Sequence, residues 1–269
     1  MARVLDDILF AVLLMLVAVI AAFLIFPLVV AVLMAFDART YLGTFPPHGF
    51  SFQWFYRFFN DEMYMRGLKT SLLVATISTF ASAIIGVTAA IALVHTRSRA
   101  RQALEAIFLS PLIVPTVVIG FALLLFFSRI GLFIGFTRLL CGHIIITVPY
   151  TIRVTLAGLV GIPKSISEAA LSLGASDWRA FWTVTLPLAR TNIFAGTIFA
   201  FVFSMDDVSV SLFLSSVDTY TLPVAMVGMM QSQFDLSIAA AAVFLMVVMT
   251  TLMLTIDKIF GVNNILVGK

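Results

Sequence analysis

The sequence predicts an all-α membrane protein with six transmembrane helices and a cytoplasmic helix-turn-helix segment between the fourth and the fifth. Three observations support this fold class. Hydrophobic residues make up 62% of the 269-residue chain and charged residues only 11%, whereas a soluble domain carries about a quarter charged residues. Six apolar stretches reach the length of about 20 residues that a helix needs to cross a bilayer. A polar, amphipathic insert separates two of these stretches.

The six predicted spans form one transmembrane domain covering residues 1–269. In chain order they occupy residues 8–36, 68–94, 104–127, 138–160, 189–214 and 236–257. The first apolar run far exceeds the roughly 7–15 residues of a signal-peptide core, so we interpret it as a retained helix. The loop after it contains Pro46-Pro47, Trp54 and Asp61-Glu62. This composition indicates some short structure at the membrane surface.

Proline and glycine inside the spans predict kinks or close approaches between helices. Pro111 and Pro115 lie in the third span and Pro149 in the fourth, while Gly86 and Gly120 lie in the second and third. Membrane helices tolerate both residue types, and broken helices are common where transporters bind or gate. These residues therefore indicate where a span can bend.

The basic residues predict that both termini and the insert lie in the cytoplasm. Lysine and arginine near span ends are enriched on the cytoplasmic side of membrane proteins. The loops assigned to that side contain Arg97, Arg99, Arg101, Lys164, Arg179, Arg190, Lys258 and Lys269. The opposite loops contain Arg39, Arg57, Arg66, Lys69, Arg129 and Arg138. An even number of spans agrees with two termini on the same side.

The chain lacks the motifs of soluble catalytic machinery. It has no Gly-x-x-x-x-Gly-Lys-Ser/Thr phosphate loop, no His-Glu-x-x-His pair and no Gly-x-Ser-x-Gly elbow. The single cysteine, Cys141, excludes an internal disulfide, and the three histidines are not spaced as metal ligands. We therefore expect no enzyme activity, no cofactor and no metal site. Work against a gradient would draw its energy from ions or from another polypeptide.

The insert, residues 161–187, has the sequence signals of two short helices. Pro163 follows the fourth span, and Ser165 with Glu168 forms a capping-box arrangement that predicts the start of the first helix. Gly174 fits the left-handed position that commonly ends a helix. The pattern therefore predicts a helix, a tight turn and a second helix.

The second helix of the insert carries apolar side chains that need a cover. Ser176 or Asp177 can cap its start, and Leu186-Pro187 is predicted to break it before the fifth span. Its apolar residues are Trp178, Phe181, Trp182 and Val184. Docking of a helix into a groove of a soluble partner would provide that cover. A helical cytosolic loop without a partner is the alternative.

The insert resembles a known signature. Glu168-Ala169-Ala170, Gly174 and Leu186-Pro187 resemble the "EAA" signature of permease subunits of bacterial ATP-binding-cassette (ABC) importers. In that family the signature forms the coupling helices that sit in a cleft of the ATPase subunit, so we call residues 161–187 the coupling segment. The resemblance implies an ATPase interface made of Ser165, Glu168, Ala169, Ala170, Leu171, Gly174, Ala175, Trp178, Phe181, Leu186 and Pro187.

The same resemblance implies a set of partners and a location. The expected partners are an ATPase dimer that binds ATP and Mg, a second related permease, a periplasmic substrate-binding protein and membrane lipid, with no nucleic acid. The chain itself would bind no cofactor and catalyse nothing. It would lie in the bacterial inner membrane as a multi-pass protein and form half of the pathway.

Two adjacent acids well along the fifth span are candidates for the translocation pathway, together with Ser204. Asp206 and Asp207 each cost about 2.5–3.5 kcal/mol in hydrocarbon on insertion scales, so they should face water, a cation or a polar partner. Neighbours on a helix point about 100° apart. One acid can therefore line a path while the other pairs with a polar group. Alternatively, the span ends early and both acids lie at its outer rim.

The segment around these acids refines the resemblance. Phe203 to Val208, followed by Leu222-Pro223, resembles the permeases of polyamine (spermidine and putrescine) importers. Carboxylates suit a flexible polycation as substrate. Related permeases move phosphonates, iron or thiamine, and these remain alternative substrates.

Two other functions remain open from the residues. An ion-coupled secondary transporter would use Asp206 or Asp207 as its protonation site, but such proteins often contain internal repeats and none is evident here. An intramembrane aspartyl hydrolase needs two acids that converge on one water, and neighbours on one helix point apart. Arg153, near the end of the fourth span, can extend to the interface or pair with an acid in the bundle.

Overall fold

The computed structural model describes residues 2–96 and 98–260, and every regular element in these ranges is a helix. In chain order the helices are α1 (Ala2–Ala35), α2 (Gln53–Asn60), α3 (Glu62–His95), α4 (Ser98–Leu109), α5 (Thr116–Arg129), α6 (Gly135–Val160), α7 (Lys164–Ser172), α8 (Asp177–Ala180), α9 (Leu186–Asp206), α10 (Ser209–Leu214), α11 (Leu222–Ser232) and α12 (Ser237–Phe260). Ser110–Leu112 forms a 3₁₀ turn and Phe181–Thr185 a π-helical turn.

Within residues 2–96 and 98–260, five helices are long and apolar enough to cross a membrane, and the number is six if one bent pair counts as a single span. The five are Asp6–Ala35, Glu62–His95, Gly135–Val160, Asp177–Asp206 and Ser237–Ile256. The predicted all-α membrane fold is confirmed. The chain divides into two compact units, and the prediction of a single domain stays a prediction.

The third predicted span is not one straight helix. Its two halves, Ala100–Leu112 and Thr116–Arg129, meet at 96°. Pro115 has no backbone N–H to continue the hydrogen-bond ladder, and its ring disfavours helical backbone at Val114. The bend therefore falls where the prolines predicted it, but it is far sharper than a kink.

The first unit contains the described residues up to 62 together with 228–248. All side chains from Asp6 to Val29 in α1 are exposed in the described chain, as expected for a helix that lipid or another subunit covers. After α1, four phenylalanines pack with ring centroids 4.9–6.1 Å apart: Phe36, Phe50, Phe52 and Phe55. The predicted short structure in this loop is confirmed by α2.

The buried carboxylate of Asp37 organises this loop. It accepts hydrogen bonds from the backbone N–H of Arg39 at 3.0 Å and of His48 at 3.3 Å, and from Arg39 Nε at 2.8 Å. The Asp37 carbonyl accepts from Trp54 Nε1 at 2.9 Å, which fixes the start of α2. Arg57 of α2 pairs with Asp235 at 3.0 Å. Asp37 thus bonds both to its near neighbour Arg39 and to Trp54, 17 positions along the chain.

Acid is expected to loosen this loop through Asp37. The hydrogen bond from the Arg39 side chain lowers the pKa of Asp37 below its ordinary 3.8. A carboxyl whose pKa is lower in the folded state than in the unfolded state stabilises the folded state at pH values above the unfolded pKa. That stabilisation is lost as the pH falls through the lower pKa of the folded state. The protection factor of the Ser51 amide, which donates to the Phe36 carbonyl at 2.8 Å, should therefore fall only below pH 3.8.

Replacing Asp37 removes the titrating group. Asp37→Asn should show fast Ser51 exchange already at neutral pH and no further acid step, because the amide cannot hold the Arg39 guanidinium as an ion pair. Asp6→Asn, an exposed acid of the same unit, should keep the wild-type profile. An acid step that survives in Asp37→Asn would contradict this assignment.

The second unit contains the described residues 63–227 and those from 249 onward. In it α6 packs against α3 and α9 through small residues. A Cβ on Gly86 of α3 would lie 2.7 Å from Thr151 Cβ, and one on Gly196 of α9 would lie 3.2 Å from Thr151 Cα. Membrane helices associate by such close packing because lipid offers no hydrophobic drive. The close approaches predicted at Gly86 and Gly120 are confirmed, since Gly120 of α5 lies against Val210 of α10.

Candidate functional site

The first helix of the coupling segment, α7, begins at Lys164. Pro163 precedes it as the N-cap, and no side chain caps the helix. The predicted capping box of Ser165 and Glu168 is therefore wrong. Pro163 can begin the helix because the first turn lacks partners for its N–H groups, and this places Ser165 inside the helix rather than at the cap.

Gly174 ends α7 in the predicted left-handed conformation, with φ of +88°. The Ala175 N–H donates to the Ala170 carbonyl at 3.1 Å, and the Gly174 N–H donates to the Leu171 carbonyl at 2.9 Å. This pair of bonds is a Schellman motif, which satisfies the last free carbonyls of a helix. A residue with a Cβ would be strained here, so glycine sets the direction of the turn.

The second helix of the coupling segment is continuous with the fifth span. Ser176 Oγ caps it by accepting from the Arg179 N–H at 3.3 Å, as predicted. The helix then runs from Asp177 to Asp206 without a break, so the break predicted at Leu186-Pro187 is wrong. A π-helical turn at Phe181–Thr185, in which the Leu186 N–H donates to the Phe181 carbonyl, accommodates the Pro187 ring.

The coupling segment presents an apolar surface in this chain alone. Leu173 is 89% exposed and Trp178 is 70% exposed. Trp178 contacts Trp182 edge to face, with ring centroids 5.4 Å apart, and Phe181 at 6.3 Å. None of the predicted interface residues is buried: Ser165, Glu168, Ala169, Leu171, Gly174, Trp178 and Pro187 are exposed, and Ala170, Ala175, Phe181 and Leu186 are partly exposed.

An open cavity of about 470 Å³ separates α7 from the helices behind it. Its lining is charged as well as apolar and includes Arg101, Lys164, Glu168 and Asp177. The side-chain bond from α7 to the helix below is a long one, 3.5 Å between Ser167 Oγ and Thr185 Oγ1. Space of this size leaves α7 loosely packed against its own chain.

The fifth span breaks at the two acids. Helix α9 ends at Asp206, and Asp207 has an extended backbone (φ −67°, ψ 121°) before α10 begins at Ser209. The predicted single span over 189–214 is therefore not one continuous helix. Its first part belongs to a helix that begins earlier, in the coupling segment, and that ends at Asp206, eight residues before the predicted end. The break occurs because the Asp207 side chain takes the hydrogen bonds that start α10.

The two acids face different surroundings. Asp207 is buried and accepts from the Ser211 N–H at 2.9 Å, the Ser211 hydroxyl at 3.1 Å and the Val210 N–H at 3.4 Å. Asp206 is exposed. The alternative that the span ends early holds in part, since its helix ends at Asp206. However, that alternative placed both acids at the outer rim, and Asp207 is instead buried in the second unit.

A buried histidine completes this arrangement. His143 of α6 contacts the Ser204 hydroxyl through Nδ1 at 2.7 Å and the Ser211 hydroxyl through Nε2 at 2.9 Å, and its Nε2 lies 4.0 Å from the Asp207 carboxylate. Ser204, predicted as a pathway residue, is buried and also lies 3.3 Å from the Ser78 hydroxyl. Only Asp206 of the three predicted pathway residues is exposed.

Comparison with known families decides the class of the chain. Residues 82–261 match the family described as the inner membrane component of binding-protein-dependent transport systems. The chain belongs to this family. It is a multi-pass inner membrane permease of a binding-protein-dependent importer, as the coupling segment predicted.

Several relatives of this permease carry a polyamine substrate in their names. The spermidine/putrescine transport system permease protein PotC of Haemophilus influenzae is 29% identical over 246 residues, which cover 91% of this chain and 95% of PotC. The putrescine transport system permease protein PotI of Escherichia coli (strain K12) is 30% identical over 208 residues, 75% of this chain and 73% of PotI. The molybdate/tungstate permease WtpB of Pyrococcus abyssi is 25% identical over 183 residues, 68% of this chain and 73% of WtpB.

Solved structures share the fold of this permease. A chain of the bacterial ABC transporter that imports alginate superposes with a TM-score of 0.73 at 20% identity, covering 94% of the permease and 95% of that chain. A chain of the MetNI methionine ABC transporter gives a TM-score of 0.61 at 19% identity, covering 74% and 94%. The permease thus has the architecture of ABC importer membrane subunits.

Sequence reasoning on this permease missed His143, Ser78 and Ser211. The His143 imidazole contacts two serines that lie 61 and 68 positions away along the chain. The available signal was a histidine inside a predicted span, since ionisable residues within membrane helices are rarely idle. Arg153 is exposed, and no acid of the described chain pairs with it.

Proposed function

We propose that this permease forms half of an ATP-driven import pathway for a polyamine such as spermidine or putrescine. The observation that supports the substrate proposal is the exposure of the Asp206 carboxylate. This carboxylate is exposed at the broken end of a membrane-spanning helix, while the neighbouring carboxylate is fully engaged with protein donors. A free acid at such a position is costly unless it meets water or a cation, and a polyamine supplies cations.

The names of the relatives support the same substrate class. PotC and PotI, which match this chain over most of its length, are named for spermidine and putrescine. WtpB, named for oxyanions, is less similar and matches a shorter part of the chain. An anionic substrate would be repelled by Asp206 unless a cation intervened. Phosphonate, iron and thiamine remain alternatives that the uptake experiment separates.

The proposed partner subunits follow from the coupling segment and from the family. An ATPase dimer that holds ATP and Mg would dock on the coupling segment, and that segment and both termini would then lie in the cytoplasm. A second, related permease would supply the other half of the pathway, and a periplasmic binding protein would deliver substrate. The permease would bind no cofactor and catalyse no reaction itself.

Uptake by the reconstituted complex tests the substrate. Radiolabelled spermidine should enter proteoliposomes that contain the permease, its partner permease and the ATPase, and only with ATP and binding protein present. Asp206→Asn should raise KM by about tenfold, the worth of one charge contact of about 1.4 kcal/mol. Asp7→Asn, an exposed acid at the other end of the chain, should leave KM unchanged.

Three results would contradict parts of this proposal. Uptake of molybdate in place of spermidine would contradict the proposed substrate but not the proposed ATP-driven importer. Uptake driven by an ion gradient without ATP would restore the secondary-transporter alternative. An unchanged KM in Asp206→Asn would remove Asp206 from the pathway.

A further inference from the structure

The break in the fifth span is bridged by a side chain from another helix. His143 of α6 is fully buried and contacts one serine on each side of the break: Ser204, three residues before Asp207, and Ser211, four residues after it. No backbone ladder crosses this break, because Asp207 is extended. The imidazole is therefore a direct link between the end of α9 and the start of α10.

The neighbours of the imidazole define which of its nitrogens carries a proton. The Ser211 hydroxyl donates to the Asp207 carboxylate at 3.1 Å, so its oxygen is left to accept from His143 Nε2. The other nitrogen, Nδ1, is then free to accept from the Ser204 hydroxyl at 2.7 Å. Ser78 can donate in turn to Ser204 or to the Ala75 carbonyl.

This direction of donation satisfies every member of the network with one buried charge. Donation runs from Ser204 to Nδ1, then from Nε2–H to Ser211 and finally to the Asp207 carboxylate. The carboxylate is further stabilised by the N–H groups of Val210 and Ser211 at the start of α10. A second buried charge on the imidazole would add a desolvation cost and would turn Nδ1 into a donor toward Ser204.

We propose that His143, as a neutral imidazole with its proton on Nε2, is the positioning residue that holds the broken fifth span in register. It keeps Asp207 inside the protein and leaves Asp206 as the acid that faces out. This role deepens the proposed function, since Asp206 is the acid assigned there to the substrate. The hydrogen-bonding role itself does not depend on which substrate the permease moves.

Two substitutions of similar volume separate hydrogen bonding from packing. The glutamine side chain in His143→Gln can accept from Ser204 through its carbonyl and donate to Ser211 through its amide. The leucine side chain in His143→Leu fills the space and can do neither. A merely packed side chain would tolerate leucine at least as well as glutamine, whereas a hydrogen-bonded bridge requires glutamine.

Cysteine labelling reports on the break without reference to transport. Met205 is buried beside the acids, and Val208 next to them is exposed. In a Cys141→Ala background of the assembled complex, a cysteine in Met205→Cys should react slowly with a maleimide. His143→Leu should raise that rate by about tenfold as the break opens, and His143→Gln should not. A cysteine in Val208→Cys should react equally in all three.

Equal labelling of Met205→Cys in the leucine and glutamine variants would overturn the proposal, whether both were slow or both fast. Recovery of the glutamine variant alone would support it. A loss of spermidine uptake without a change in labelling would count against the positioning role but not against the substrate, so the two proposals fail separately.

Nitrogen NMR on the unsubstituted residue tests the tautomer. The chain has three histidines, so ¹⁵N-histidine labelling with His48→Gln and His95→Gln leaves the His143 signals alone. The assembled complex with unlabelled partners should show one protonated nitrogen, Nε2, and one unprotonated nitrogen, Nδ1. Two protonated nitrogens, or the proton on Nδ1, would overturn the assignment even if neither variant can be prepared.

Discussion

Leu173→Asp is expected to abolish recovery of the ATPase with this permease. The side chain is 89% exposed in the chain alone, so aspartate removes no packing from the permease fold, but a docked ATPase would have to bury the new charge. The loss should reach about 3 kcal/mol of binding, roughly a hundredfold, which is typical of a residue at the centre of an interface. Co-purification and the binding isotherm of the ATPase measure it.

Val217→Asp is the matched control for this experiment. Val217 is 90% exposed and lies between α10 and α11, outside the coupling segment. It should retain the ATPase at wild-type affinity. If Leu173→Asp also retains it, with the same thermal midpoint and the same uptake, the coupling segment is not the docking surface. The ATPase must then bind elsewhere on the cytoplasmic face.

Asp207→Ala should destabilise the permease by about 2–4 kcal/mol, whereas Asp206→Ala should cost under about 0.5 kcal/mol. Alanine at 207 leaves the N–H groups of Val210 and Ser211 and the Ser211 hydroxyl without their acceptor in a buried site. The exposed neighbour carries no such bonds. Thermal unfolding of the purified permease should therefore show a lower midpoint for the first variant alone.

The contrast between the two substitutions is the decisive part of this prediction. They make the same chemical change at adjacent positions, one buried and hydrogen-bonded, the other exposed. Equal midpoints would mean that the Asp207 hydrogen bonds contribute little net stability. A larger loss in Asp206→Ala would mean that this carboxylate has partners inside the protein and is not free for a substrate.

Local sequence signals predicted the positions of most helices and the family. Apolar length identified the spans, and Gly174 and Ser176 marked a turn and a cap because left-handed backbone and N-capping each favour few residue types. Those same rules are local and do not rank competing caps. Pro163 therefore displaced Ser165 at the start of α7.

The remaining errors concern whether a helix continues, which residue type alone does not decide. Pro187 resembles a helix breaker in sequence, yet a π-helical turn carries the helix past it. Asp207 is predicted to lie within a helix because the span around it is apolar. In the structure its backbone leaves the helix, and its carboxylate accepts the hydrogen bonds that start α10. The partner that stabilises that choice, His143, lies far earlier in the chain, so no window around the acids contains it.

The unbroken helix from Asp177 to Asp206 has a mechanical consequence. Thirty residues at about 1.5 Å each make a rod of about 45 Å, with Trp178 near one tip and Asp206 at the other. A tilt of about 10° about its coupling-segment tip displaces the Asp206 tip by about 8 Å, by the geometry of a rod of that length. Under the proposed function, a movement of the coupling segment caused by the ATPase would therefore displace Asp206 directly through the rigid helix. No series of side-chain contacts between the two sites is needed.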